Sequence, residues 1–309
     1  MITLTNINKY FGSHHVLKDL TFTVESGKIT AFLGVNGAGK TTTMRLINGV
    51  LNPDSGQIRV GRYNPVTQPL KVKRIIGYLP ENNPLYAHLK VSEYLYFIAQ
   101  VYNLPNFPLA YTQIFTQTGI QSIWNQKIET LSKGLKQRVG LTAALIHNPK
   151  ILVLDEPLSG LDPIQKQEII DLLKTLATRT TILFSTHVLS EVEQLCHNVI
   201  IIHQGKILLS DSLTHLKGKH TQVTVVYQGS KKITQLLLQK HPKIKLTHQT
   251  SPQKGHWQLT LNLPTHKPNT YLKSISTTIT QNQGILLRLD TQTQDLSTLF
   301  TQLTTQHEA

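Results

Sequence analysis

The chain has 309 residues, 39% hydrophobic and 16% charged, with a formal net charge of +14 and one cysteine, Cys196. That length holds one large domain or two ordinary ones, the balance is that of a folded chain, and a lone cysteine excludes an internal disulfide or a thiolate metal cage. No apolar run reaches the roughly 18 to 20 residues that span a bilayer, and the start MITLTNINKYF has no basic region followed by an apolar block, so a soluble chain in a reducing cytoplasm is expected.

The basic excess is spread along the chain, with about nine basic and three acidic residues beyond Gln222. No basic stretch is interleaved with aromatic residues of the kind that stack bases. Nucleic acid is therefore not an expected partner.

In chain order, the first two-thirds alternate short apolar runs (ITAFLG, IIGYL, ILVLDE, TILFSTH) with helical periods (TTTMRLINGVL, PIQKQEIIDLLKTLA, VLSEVEQLC). Such alternation predicts an α/β domain with a largely parallel sheet. The first run is followed by GVNGAGKTT and a helix. Strand, glycine loop and helix in that order form a phosphate cradle: Gly34, Gly37 and Gly39 let backbone N–H groups turn inward, Lys40 reaches β and γ phosphates, and the Thr41 hydroxyl can ligate Mg²⁺. Val35, Asn36, Ala38 and Thr42 complete the loop, and the helix N-terminus adds positive potential.

Between about Pro84 and Ile128 only helical patterns occur, as in VSEYLYFIAQVY and LAYTQIFTQTGI, which predicts a helical insertion. LSKGLKQR (131–138) then opens an apolar helix with a serine, a glycine and three cations. ILVLDEP (151–157) is a buried-looking strand ending in two carboxylates. Alternation along a strand sends Asp155 and Glu156 to opposite sides, so Asp155 can hold Mg²⁺ while Glu156 orients or deprotonates an attacking water. TILFSTH places His187 at another strand end, on the carboxyl edge where α/β sheets bind ligands.

Beyond the Gly218 region the composition shifts to Thr, Gln and His. Alternating runs (TQVTVVY, IKLTHQ, HWQLTLNL, GILLRLD) and helical ones give β-α-β-β-α-β-α, a second, smaller α+β domain over about 220–309. Its histidines, His241, His248, His256 and His266, lack metal-site spacing, and no metal is assigned there.

Together, GVNGAGKTT, LSKGLKQR, ILVLDEP, SGLDP and STH make residues 1 to about 220 resemble the ATP-binding subunits of ABC transporters. YLPENNPLY and the carboxyl-terminal extension are similar to the ABC-2 type export ATPases, most closely the gliding-motility-associated group. The resemblance implies a P-loop NTPase core with antiparallel β and inserted helical subdomains (the helical one about 84–140) in a cassette over 1–219. It implies ATP and Mg²⁺ as ligands, and Phe11 stacking on adenine, with Tyr10 the alternate and core packing the plainer role. Glu156 would be the catalytic base and His187 would contact the γ-phosphate.

A head-to-tail dimer is also implied. Ser132, Gly134 and the helix start, with Gln137 grouped beside them, would face the γ-phosphate held by the other protomer, and Asp162 of SGLDP would lie at the seam. The simpler role of Ser132 is to cap its own helix. Lys133 and Leu135 depart from the commoner glycine and glutamine. Glu81 stands where the family usually has glutamine; an ionised carboxylate only accepts hydrogen bonds, so Mg²⁺, bound water or a cation is its expected partner. The expected activity is ATP hydrolysis that drives a separate multi-span ABC-2 type permease from the cytoplasmic face of the plasma (inner) membrane. Pro84-Leu85-Tyr86 and the helix after Ser92 are the expected docking region, or ordinary core. The alternative is an ABC ATPase acting on ribosomes or nucleic acid.

Overall fold

A computed structural model describes residues 1–218, 221–253, 255–263, 268–293 and 296–305. Contacts divide the chain into two units, Met1–Ser212 and Leu213–Ala309. The boundary expected at 219/220 and His266 lie outside the described residues.

In the first unit, β1 (Ile2–Phe11), β2 (His14–Val24) and β4 (Ser55–Val60) form an antiparallel sheet in the order β2-β1-β4. None of these strands was singled out by its sequence pattern. A six-stranded sheet follows the order β5-β6-β7-β3-β8-β9, made of β3 (Ile29–Leu33), β5 (Ile76–Leu79), β6 (Ile151–Asp155), β7 (Thr181–Thr186), β8 (Asn198–His203) and β9 (Lys206–Ser212). All its pairings are parallel except β8 with β9. Every residue of β3, β6 and β7 is buried. That is why these strands read as continuous apolar runs: a central parallel strand is covered on both faces.

Helix α1 (Lys40–Ile47) follows β3, and α2 (Pro69–Ile75) precedes β5. Ile2, Leu4, Phe22, Phe32, Met44 and Val153 belong to one apolar core, which joins the two sheets through α1. The insertion carries α3 (Val91–Val101), α4 (Thr112–Thr118) and α5 (Lys133–Leu145). Its own core includes Val91, Leu95, Phe115, Ile128, Val139 and Ile146, so the helical packing extends past residue 140. α6 (Pro163–Leu176) starts with Asp162 accepting from Gln165 N at 2.9 Å and with proline in its first turn, a start worth about 1 kcal/mol. α7 (Leu189–Leu195) follows β7.

The second unit contains α8 (Leu213–Gly218), β10 (Thr221–Gln228), α9 (Lys232–Lys240), β11 (Lys245–Gln253), β12 (His256–Leu263), α10 (Pro268–Gln281), β13 (Ile285–Thr293) and α11 (Leu296–Thr305). Its antiparallel sheet runs β11-β12-β10-β13, the split β-α-β arrangement of ferredoxin-like domains. Val223, Val225, Tyr227, Leu259 and Leu261 alternate into its core, with Ile233, Leu237, Ile275 and Ile279 from the helices.

Candidate functional site

The loop between β3 and α1 is anchored from behind. Gly34 N donates to Thr186 O at 3.2 Å, and a Cβ on Gly34 would lie 2.5 Å from the backbone oxygen of Ile202. Gly37 and Gly39 have φ of 78° and 107°, values that strain any residue with a Cβ. Gly39 is the N-cap of α1 and offers no side-chain cap, and the first turn has no acid. The amide donors at this helix start are thus left to an anion. Lys40 is 7% exposed; its Nζ donates to Gly34 O at 2.8 Å and Val35 O at 3.3 Å and lies 3.3 Å from Glu156 Oε1.

The two carboxylates at the end of β6 separate as expected, for a different reason. Glu156 lies beyond the strand with φ of 50°, so the turn aims its side chain and pleat alternation does not. Asp155 is fully buried and accepts from Ser185 Oγ at 2.5 Å; Ser185 Oγ in turn accepts from Glu156 N at 2.9 Å. One hydroxyl holds both residues. Asp155 Oδ2 is buried with no hydrogen-bond partner among the described residues, a costly arrangement for a carboxylate. Glu156 faces the other way, with both carboxylate oxygens 3.1 Å from His187 Nδ1. That distance fixes the ring so that its Nε2 edge is turned from Glu156.

Lys40, Glu156 and His187 border one cleft of about 540 Å³ whose lining also includes Phe11, His14, Val16, Asn36, Gly37, Gly39, Thr41, Thr42, Glu81 and Ser159, whereas Asp155 is buried behind Ser185 and is not part of that lining. Phe11 is 48% exposed there, whereas Tyr10 stacks on His15 with ring centroids 4.0 Å apart and does not line it. Gly34 and Ala38 form the buried back of the loop, and Val35 is exposed outside the lining. His14, Val16 and Ser159 escaped the sequence reading, although Ser159 opens the SGLDP motif.

Ser132, Gly134, Gln137 and Asp162 do not line the cleft. Ser132 is exposed and caps α5, its Oγ accepting from Leu135 N at 3.3 Å. The side chain of Gln165 covers Gly134 and that of Lys133 lies over Gly160, so a Cβ at Gly134 would meet only a movable side-chain end, while Gly160 has φ of 71° and favours glycine by its backbone. Gln137, expected beside Ser132 and Gly134, is tied inward within its own chain. It is 7% exposed and donates from Nε2 to Pro157 O at 3.1 Å, so its side chain faces inward and ties α5 to the turn after β6. Asn83, two residues after Glu81, donates to Lys136 O at 2.8 Å and packs on Gly140, fastening the loop that carries Glu81 to α5.

A second cavity of about 350 Å³ lies between α3, α5 and the β5 region, lined in part by Val50, Tyr78, Pro84, Tyr94, Ile98, Tyr102 and His147. The aromatic-rich helix thus serves two surfaces: Val91, Leu95 and Ala99 are buried in the helical core, while Tyr94 and Ile98 border the cavity. Burial and the nearby Asp155 charge push the Tyr78 hydroxyl up to about 12.

The "ABC transporter" family model matches residues 17–159. The linearmycin resistance ATP-binding protein of Bacillus subtilis (strain 168) is 31% identical over 307 residues, 98% of each chain. The bacitracin transport ATP-binding protein of Bacillus licheniformis is 36% identical over 243 residues, 78% of this chain and 79% of that one. Among solved structures, the ATP binding subunit of an ABC transporter aligns with a TM-score of 0.65 and 28% identity, covering 70% of this chain and 92% of the other. With a phosphate-cradling loop, a paired lysine and glutamate and a histidine around one cleft, and with one relative similar over 98% of the chain and another over 78%, the chain belongs to the ABC transporter family, as an ATP-binding and ATP-hydrolysing subunit.

Proposed function

We propose that this ATPase powers an ABC-2 type exporter, whose multi-span permease is a separate polypeptide, and that two copies close head to tail on ATP. The observation that carries the reading of the site is the convergence of Phe11, the glycine loop, Glu81, Glu156 and His187 on one cleft. Phe11 stacks on adenine. Lys40 exchanges its bonds to Gly34 O and Val35 O for β and γ phosphate oxygens, which leaves the Glu156 carboxylate free to take a proton from water. That water attacks the γ-phosphorus in line, the bond to the β-phosphate oxygen breaks, and ADP and phosphate result. His187, held at Nδ1 by Glu156, offers Nε2 to the γ-phosphate.

Mg²⁺ suits the chemistry of the residues present: the Thr41 hydroxyl and Glu81 line the cleft, and Asp155, buried outside that lining, keeps Oδ2 without a hydrogen-bond partner among the described residues, all hard oxygen donors. When bound, the ion would neutralise charge on the phosphates.

Ser132 and the Gly134 N–H stand outside their own cleft, which supports a role toward a second copy, with Asp162 at the seam. Charge-assisted hydrogen bonds contribute roughly 1.5 to 3 kcal/mol each. Two or three at each of two sites reach the approximately 5.5 kcal/mol that turns a mostly open population into a mostly closed one. Hydrolysis removes the shared γ-phosphate and reopens the pair.

Relatives named for bacitracin transport and linearmycin resistance support export as the direction, and YLPENNPLY supports the ABC-2 type and gliding-motility-associated grouping. No helix among the described residues is long and apolar enough to cross a membrane. The cavity bordered by Pro84, Tyr94 and Ile98 is the permease docking groove, at the cytoplasmic face of the inner membrane. The test is purification of the tagged protein from detergent-solubilised membranes. A multi-span polypeptide of the ABC-2 type should co-purify; recovery of ribosomal or DNA-bound partners in its place overturns the proposal.

A further inference from the structure

Glu191 is a buried carboxylate that the ATPase mechanism above does not use. It lies in the first turn of α7 and is 7% exposed. Its Oε2 accepts from Thr186 Oγ1 at 2.6 Å, and its Oε1 lies 3.2 Å from Lys166 Nζ on α6. The same Thr186 hydroxyl accepts from Val188 N at 3.0 Å. Thr186 O also receives the Gly34 N–H of the phosphate loop. The residues on both sides of His187 are therefore fixed, and the His187 ring reaches across to the Glu156 carboxylate while Ser185 Oγ holds the Glu156 N–H.

An acid in a first helical turn suits the helix dipole from an exposed position. It needs neither burial nor a threonine hydroxyl for that. Burying a carboxylate costs several kcal/mol unless cations and donors compensate, and here one compensating bond leads to the residue before the cleft-lining His187 and the other to the first turns of α6. Lys166 stands one helical turn after Asp162, the cap of α6. Thr186 immediately precedes His187.

The geometry points to Glu191 as a positioning residue for hydrolysis: through Thr186 it sets the placement of His187 against Glu156, and through Lys166 it ties that placement to the start of α6. This rests on the reading of His187 as a γ-phosphate contact. The bond from Thr186 to Val188 N closes the backbone bend on which His187 sits, so losing Glu191 frees the hydroxyl to rotate and the bend to open. Misplacement by about 1 Å at a reacting centre can cost roughly a hundredfold in rate.

The test joins kinetics with a direct view of the ring in the full chain. Glu191→Ala and Thr186→Val should each lower kcat roughly tenfold or more with KM for ATP little changed. Thr186→Ser, which keeps the hydroxyl, should recover most of the Thr186→Val loss. In a His187→Ala background, Glu191→Ala should cause no further drop in kcat. The ¹⁵N and ¹H resonances of the His187 imidazole, assigned by their loss in His187→Ala, should shift in Glu191→Ala. The positioning role is overturned if those resonances are unchanged in Glu191→Ala, or if the two kinetic losses multiply in the double variant. Normal hydrolysis by His187→Ala would instead sink the reading of His187, and the imidazole spectrum would still decide whether Glu191 places the ring.

Discussion

The nucleotide cleft and the signature segment around Ser132 are both glycine-bearing helix starts, yet their polar groups are treated in opposite ways. At the cleft, α1 has no side-chain cap, and behind it Asp155 Oδ2 is buried without a hydrogen-bond partner among the described residues; the chain leaves these groups for a ligand. At the signature, Ser132 caps its own helix and Gln165 and Lys133 cover the glycines on either side; the chain satisfies this segment from within. A surface already satisfied can hold its shape alone and be offered to a second copy. A cleft with unpaired groups gains most from the nucleotide itself.

The strongest way to break this contrast is Glu156→Gln. It keeps the shape of the side chain and removes its basicity, so hydrolysis should fall by roughly 10² to 10⁴. ATP should still bind, and the variant should elute from size exclusion as a dimer under saturating ATP. A monomer in those conditions refutes the offer of the signature face to a partner.

The two glycines sharpen it. A Cβ on Gly34 meets the backbone oxygen of Ile202 at 2.5 Å, whereas one on Gly134 meets only the tip of the Gln165 side chain. Backbone at the centre of a sheet cannot move aside, while a glutamine tip can swing away. Gly34→Ala should therefore weaken nucleotide binding by roughly tenfold, about 1.4 kcal/mol, and lower the melting temperature. Gly134→Ala should leave monomer stability and nucleotide affinity nearly intact and weaken only the ATP-dependent dimer. Equal loss of nucleotide affinity in both variants, measured by titration calorimetry, would dissolve the distinction.

How much of this was legible follows from whether a feature is local. The phosphate loop lies within nine consecutive residues between a strand and a helix, so its chemistry could be read directly. Phe11 over Tyr10, and the lining by His14 and Val16, depend on how a hairpin meets α1, and no sequence period encodes that. Glu156 was given its direction by strand alternation, but a left-handed turn residue sets it. Gln137 was grouped by proximity. At about 100° per residue it lies roughly 140° from Ser132 but only about 60° from Gly134, so helical phase alone could not decide its role, and its inward bond to Pro157 O depends on the turn after β6.

Gln137→Leu tests that inward role. It leaves Pro157 O without its buried donor, a loss of about 1 to 3 kcal/mol. Thermal unfolding should move down accordingly, with the ATP-dependent dimer of the folded fraction retained. Selective loss of the dimer at unchanged stability would return Gln137 to the partner-facing set.

The smallest effect extends the contrast to the groove, where His147 also carries an orphan. Its Nε2 lies 2.9 Å from Ile76 O, its ring stacks on Tyr102 with centroids 4.0 Å apart, and Nδ1 is buried without a hydrogen-bond partner among the described residues. Burial holds its pKa below the ordinary histidine value, opposed by the bond to Ile76 O. The unfolded chain therefore takes up a proton first as the solution is acidified. The contribution of His147 to stability is complete above the unfolded value of about 6.5 and is lost as pH falls from there through the lower folded value. His147→Gln keeps a donor for Ile76 O and cannot titrate. The stability advantage of the parent over this variant, read from melting curves, should be constant between about pH 7 and 8 and shrink below about pH 6.5. An advantage that stays constant into acid would mean that Nδ1 finds a proton acceptor in the groove, which would then be no more open than the signature segment.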